Sequence, residues 1–152
     1  MDLADDQAIL RLGDTLARLP EGLFGLVNNA ASELLRRLPD YQLEDLETMW
    51  RVNMRAPVRM IQTCQPFLKK ARGSVVNVGS ISDHYHAERY SVYGASKAFL
   101  VSLTMHLAKE LGPEGIRINC VSPGGVDTPL MRKVEQSFPP QEVAATKKIG
   151  RA

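Results

Sequence analysis

The sequence predicts an α/β fold built on a parallel sheet. Three observations lead there. Buried-looking strands and amphipathic helices alternate along the chain, each strand is a short apolar run bounded by turn residues, and each helix ends at a glycine, a proline or both. The 152 residues are 44% hydrophobic and 24% charged, an ordinary globular composition for one domain. Parallel strands joined by helical crossovers are expected to wind right-handed.

Residues 5–19 read as a helix, because Ile9, Leu12, Leu16 and Leu19 recur at helical spacing before Pro20. Residues 22–30 read as a strand covered on both faces and ending in a polar turn. Residues 43–71 read as one helix, with Leu43, Leu46, Met49 and Trp50 on a common stripe. Asn53 and Pro57 interrupt it, and Pro57, which has no amide hydrogen, predicts a kink. Residues 73–80 form a valine-rich second strand, followed by a polar loop to about residue 91. Residues 92–111 are the longest clean helix, stopped by Gly112 and Pro113. Residues 115–122 form a third strand, closed by Pro123 and Gly124. The polar remainder, 125–152, reads as loop with short helices.

The net charge of +2 and the scattered basic residues give no footprint for a nucleic acid or another polyanion. No segment resembles a signal peptide or a membrane span, so a soluble cytoplasmic protein is expected. Cys64 and Cys120 match no metal or redox spacing and read as reduced thiols. His84 and His86 flank Tyr85 but lack an obvious third ligand, so no metal site is expected there.

Chemistry concentrates in one place. Tyr93 and Lys97 stand four residues apart at the start of the long helix, hence one turn apart on one face. An ammonium so placed favours the phenolate and is expected to lower the tyrosine pKa, which suits an acid or base for an alcohol–ketone pair. Ser80 ends the second strand, at the sheet edge where α/β folds place ligands. Tyr41, Tyr85 and Tyr90 do not have both a lysine four residues on and a serine thirteen residues before.

Together with the runs from Leu26 to Ala31 and from Asn119 to Thr128, this set resembles the short-chain dehydrogenase/reductase family. The matches come in the family's order and spacing across essentially the whole chain. The resemblance implies a nicotinamide-dependent oxidoreductase moving hydride between NAD or NADP and a secondary alcohol or ketone. It implies Tyr93 as proton donor and acceptor, Lys97 as its partner and as a ribose contact, and Ser80 as the group polarising the substrate oxygen. It also implies Asn53 as the helix-interrupting asparagine that frees a backbone carbonyl for a water in a proton relay. Asn28 and Ala30 match the turn lying against the cofactor, with Ala31 where the family usually has glycine. Pro123, Gly124 and Thr128 match the nicotinamide and pyrophosphate side, and Asp2 reads equally as an adenine-contacting aspartate or as a solvated terminal acid.

The family opens with a strand, a glycine-rich turn and a helix that hold the cofactor pyrophosphate. No such turn precedes Asn28. The expectation is therefore a single incomplete domain over residues 1–152: the second half of a doubly wound Rossmann-like sheet, truncated at the N-terminus and at the C-terminus, its first βαβ unit missing. The residue that separates NAD from NADP belongs to that missing part, and the substrate lid is expected at 130–145. The resemblance further implies a homodimer or homotetramer through the two long helices. A non-catalytic dimerising module that no longer binds the cofactor is the alternative.

Overall fold

The computed structural model describes residues 2–128, Arg132 and Gln136. The expected lid and the C-terminal segment otherwise lie outside these residues. Three parallel strands, β1 (Gly25–Asn28), β2 (Ser74–Val78) and β3 (Arg117–Val121), form one sheet in the order β1-β2-β3. Leu26 pairs with Val75 and Val75 with Ile118, so one register line of aliphatic side chains crosses the sheet.

Helix α1 (Asp6–Leu16) starts where the Asp5 carboxylate accepts the Gln7 amide at 2.9 Å, an ordinary N-cap. Its Ile9 and Leu16 join Leu26, Val75 and Ile118 in the core. The predicted helix over 43–71 is three pieces: α2 (Leu43–Met49), a π-helical turn over Trp50–Arg55, and α3 (Ala56–Ala71). The proline explains the widened turn. In an α-helix the carbonyl of residue 53 accepts from the amide of residue 57, and Pro57 has none. The interruption is thus centred on Asn53, one turn before the proline that causes it.

The predicted stripe on α2 holds only at Met49, which is 1% exposed, whereas Leu43, Leu46 and Trp50 are exposed. The short helix packs on the π turn and on the long helix α4 (Ser91–Leu111), not on the sheet, so it has a single residue to bury. On α3, Met60, Ile61, Cys64 and Leu68 face the sheet. Full burial of Leu68 contributes roughly 1.5–3 kcal/mol.

The strand at 22–30 is expected to be covered on both faces, and it is covered on one. The side chains of α1, α3 and α4 all pack on the face that carries Leu26, Val75 and Ile118. On the opposite face Val27 is 62% and Val121 48% exposed. A sheet clothed on one side with valines bare on the other is half of a doubly wound layer, as the sequence predicts.

Glycines fix two close crossings. Gly22 sits at φ +82°, and a Cβ there would meet the Phe67 carbonyl at 2.5 Å. Gly73 lets the chain enter β2 beneath Leu23, whose carbonyl a Cβ would approach to 2.4 Å. Among the described residues no helix is long and apolar enough to cross a membrane.

Candidate active site

The strands point their C-terminal ends at one cluster. Ser80 follows β2 and caps a short 3-10 turn, Ile81–Asp83, its Oγ accepting the Ser82 amide at 3.2 Å. The turn is pinned to the chain after β3. The Ile81 amide donates to the Pro123 carbonyl at 3.0 Å, and the Ser122 hydroxyl donates to Asp83 at 2.8 Å. Asp83 also bonds the ring of His84. Helix α4 passes so close beneath that a Cβ on Gly94 would lie 2.5 Å from the Ser82 carbonyl. Gly94→Ala is therefore expected to push the Ser80 turn off the helix. Turnover should drop at least tenfold while the far-ultraviolet circular dichroism stays native; unchanged turnover would show that the approach is not needed.

Tyr93 and Lys97 occupy the first turns of α4. Lys97 is 3% exposed, its Nζ donates to the Val78 carbonyl at 2.8 Å and lies 5.7 Å from the centre of the Tyr93 ring. Tyr93 lies close enough to Ser80 for the serine hydroxyl to act on its phenol, and its ring meets that of Tyr90 edge-on at 6.1 Å. Ser80, Tyr93 and Lys97 thus share one site. The expected acidification of the phenol is not what this structure gives. Burial, and then the Glu33 carboxylate, push the Tyr93 pKa up to about 12, against the nearby Ser80 hydroxyl, which pulls it down. Lys97 is itself shifted down by burial, opposed by Cys120 and Glu33, and one of its protons is given to Val78.

Asn53 is 1% exposed, and its side chain makes a connection that the role implied for its backbone carbonyl does not include. Its Oδ1 accepts the Ser32 amide at 2.7 Å, while its Nδ2 donates to the Ser32 carbonyl at 2.8 Å and to Ser96 Oγ at 3.0 Å. Ser96 in turn donates to the Tyr93 carbonyl at 2.7 Å. The asparagine therefore locks the loop after β1 onto the helix turn that carries Tyr93. A second buried chain runs beside it. Asn28 donates to Asn77 at 2.8 Å, Asn77 to Thr104 at 2.9 Å, and Thr104 to the Leu100 carbonyl at 2.7 Å. Asn77, Ser96, Thr104 and Glu33 were not singled out in the sequence. A lone asparagine amid the valines of β2 was the one available signal, since a buried amide must find partners.

Ala30 lines a cavity of about 60 Å³ beside the end of β1, together with Leu3, Asn28 and Pro57. Gly124 is exposed, and Thr128 accepts the Arg132 amide at 3.0 Å. Pro123 is tied to the Ser80 turn through the Ile81 amide. Asp2 accepts the Ala4 amide at 2.8 Å, a local turn before α1. Both cysteines are free, with Cys64 buried and its thiol pushed up to about 11 by that burial. No group of three His, Cys, Asp or Glu side chains is placed to hold a metal ion among the described residues.

Parallel strands whose carboxyl ends converge on a serine, a tyrosine and a lysine define a partial Rossmann-like α/β protein. Comparison with known proteins then places it. The chain belongs to the short-chain dehydrogenase/reductase family, and a family model described as enoyl-(acyl carrier protein) reductase matches residues 1–151. An uncharacterized oxidoreductase of Staphylococcus epidermidis is 36% identical over 106 residues, which cover 69% of this chain and 46% of that protein. One from Staphylococcus aureus is 29% identical over 140 residues, 86% of this chain and 61% of its own.

Among solved structures, a short-chain dehydrogenase from Burkholderia cenocepacia in complex with NADP is similar at TM-score 0.78 and 37% identity, covering 85% of this chain and 53% of that one. A short-chain dehydrogenase from Streptomyces avermitilis is similar at TM-score 0.78 and 30% identity, covering 86% and 49%. The chain spans about half the length of the curated relatives it matches.

Proposed function

We propose that this chain carries the proton-transfer half of an NAD- or NADP-dependent oxidoreductase acting on a secondary alcohol or ketone. The observation that carries the reading is the shared site of Ser80, Tyr93 and Lys97, with Asn53 fixing the turn that bears Tyr93. The NADP bound by the Burkholderia relative supports the cofactor class. A nicotinamide, when bound, supplies or accepts the hydride. The residues present suit its nicotinamide end: a buried ammonium for ribose hydroxyls at Lys97, and the Pro123 turn tied to Ser80's own turn. Asn28, Ala30, Gly124 and Thr128 are the further residues assigned to the cofactor side.

In the reduction, Ser80 donates a hydrogen bond to the carbonyl oxygen and Tyr93 gives that oxygen its proton as charge builds on it. Lys97 then stabilises the tyrosinate electrostatically. The carbonyl of Asn53, deprived of its α-helical donor by Pro57, is the acceptor that would hold a water on the route by which Lys97 recovers its proton. In the oxidation the same groups run in reverse. Following nicotinamide absorbance while the purified chain is given NADH or NADPH and a panel of ketones tests the reading. Ketone-dependent oxidation of one cofactor is expected; saturable cofactor binding without turnover on any ketone would count against it.

The same reading includes self-association through α3 and α4. Phe99, Val101 and Leu103 on α4 are only half-buried and Met105 is 59% exposed, an apolar surface that a second copy would cover. Met105→Glu is expected to shift the protein toward monomer in sedimentation velocity. An unchanged sedimentation coefficient would exclude α4 as the contact.

A further inference from the structure

The loop after β1 holds an acid that the reaction above does not use. Its two neighbours in sequence are tied down from different elements. Ser32 is gripped at both its amide and its carbonyl by Asn53, at 2.7 and 2.8 Å, and the Leu34 carbonyl accepts the Tyr41 hydroxyl at 2.7 Å. Glu33 is held between these anchors, half-buried, in the loop that Asn53 joins through Ser96 to the turn bearing Tyr93, and its charge reaches Tyr93, Tyr90 and Lys97. Its carboxylate makes no hydrogen bond to another described residue. A partly buried carboxylate in that state favours any ligand that brings it a donor or a positive charge, and disfavours one that brings a second negative charge.

We propose that Glu33 determines substrate charge at this site: fixed beside Tyr93 by the Asn53 and Tyr41 anchors, it selects ketones and alcohols that carry a cationic nitrogen near the reacting carbon and rejects those that carry a carboxylate there. The proposal rests on the oxidoreductase reading above. Lys97 is within electrostatic reach of Glu33 as well, and its Nζ is held at the Val78 carbonyl of β2. The device is one of affinity and orientation, since Tyr93 already provides the proton.

Three probe ketones separate the possibilities: aminoacetone, hydroxyacetone and acetoacetate share a methyl ketone and differ in charge. Wild-type kcat/KM is expected to fall in that order. Glu33→Gln should lower the aminoacetone-to-acetoacetate ratio at least tenfold with hydroxyacetone little changed. An equal loss on all three would mean that Glu33 only supports the fold, and would overturn the proposal. If wild type reduces none of the probes with either nicotinamide, the oxidoreductase reading fails for this chain. The placement of Glu33 is then judged separately by two measurements without turnover. Ligand-observed NMR should show aminoacetone binding wild type more tightly than Glu33→Gln, and the alkaline titration of Tyr93, followed by labelled-tyrosine NMR, should move to lower pH in the variant. A Tyr93 titration and an aminoacetone affinity that both stay put overturn the proposal.

Discussion

Tyr93→Phe is expected to lower kcat by roughly a hundred- to ten-thousand-fold, the range over which a positioned proton donor acts, while leaving the fold intact. The ring keeps its edge contact with Tyr90 and only the hydroxyl is lost, so the thermal midpoint should move little. The pH dependence follows from the raised pKa. A phenol near 12 in the cofactor-free site stays protonated through neutral and mildly alkaline solution, so it is present as a donor throughout that range. Ketone reduction should therefore be flat with pH across it. Alcohol oxidation needs the phenolate, whose fraction grows tenfold per pH unit below the pKa, so oxidation should climb with pH. Steady-state rates in both directions, for wild type and Phe variant, check this. A Phe variant that keeps its turnover, or an oxidation rate that falls as pH rises, would mean that another group moves the proton.

The second large effect is structural. Asn53→Leu is expected to destabilise the chain by about 3 kcal/mol, because it strips partners from buried polar groups without offering new ones. The Ser32 amide, the Ser32 carbonyl and the Ser96 hydroxyl each lose a hydrogen bond. For a domain of this size that corresponds to roughly 6–12 °C in the thermal midpoint. Activity at a temperature where the variant remains folded should also fall, since the Ser32 loop and the Tyr93 turn are no longer joined. Thermal denaturation by circular dichroism reads the first effect and turnover the second. A midpoint within a degree of wild type would show that the π turn, not the amide, holds this corner together.

How much of this was legible in the sequence depends on the length scale of each signal. Helix α4 is predicted to within one residue, because its apolar repeat persists for over five turns and ends at Gly112 and Pro113. The strands are in the right places but longer in prediction than in the sheet, because the flanking residues continue the apolar pattern after strand pairing has stopped. Residues 22–24 lead into β1 that way. Pro57 announces the break in the middle helix, yet the position of the π turn depends on which carbonyl loses its donor, and that lies four residues earlier.

The cluster of Ser80, Tyr93 and Lys97 stands out because tyrosine and lysine at helical spacing beside a strand-end serine is a local pattern. Glu33, Ser96, Asn77 and Thr104 belong to the same corner but are joined to it across 27 or more positions of sequence, so no window of residues reveals them. The expectation of an acidified tyrosine fails for the same reason. The spacing to Lys97 is visible in one dimension, whereas the burial and the opposing Glu33 appear only when the chain folds.

The most direct test of the central claim follows one atom. The chain is incubated with a ketone and dihydronicotinamide cofactor deuterated at the transferred position, and the alcohol is examined by mass spectrometry. Deuterium on the carbinol carbon, appearing at least about a hundredfold more slowly in Tyr93→Phe, is the predicted result. Recovery of unlabelled ketone with no deuterated alcohol, under conditions where the cofactor is bound, would contradict it.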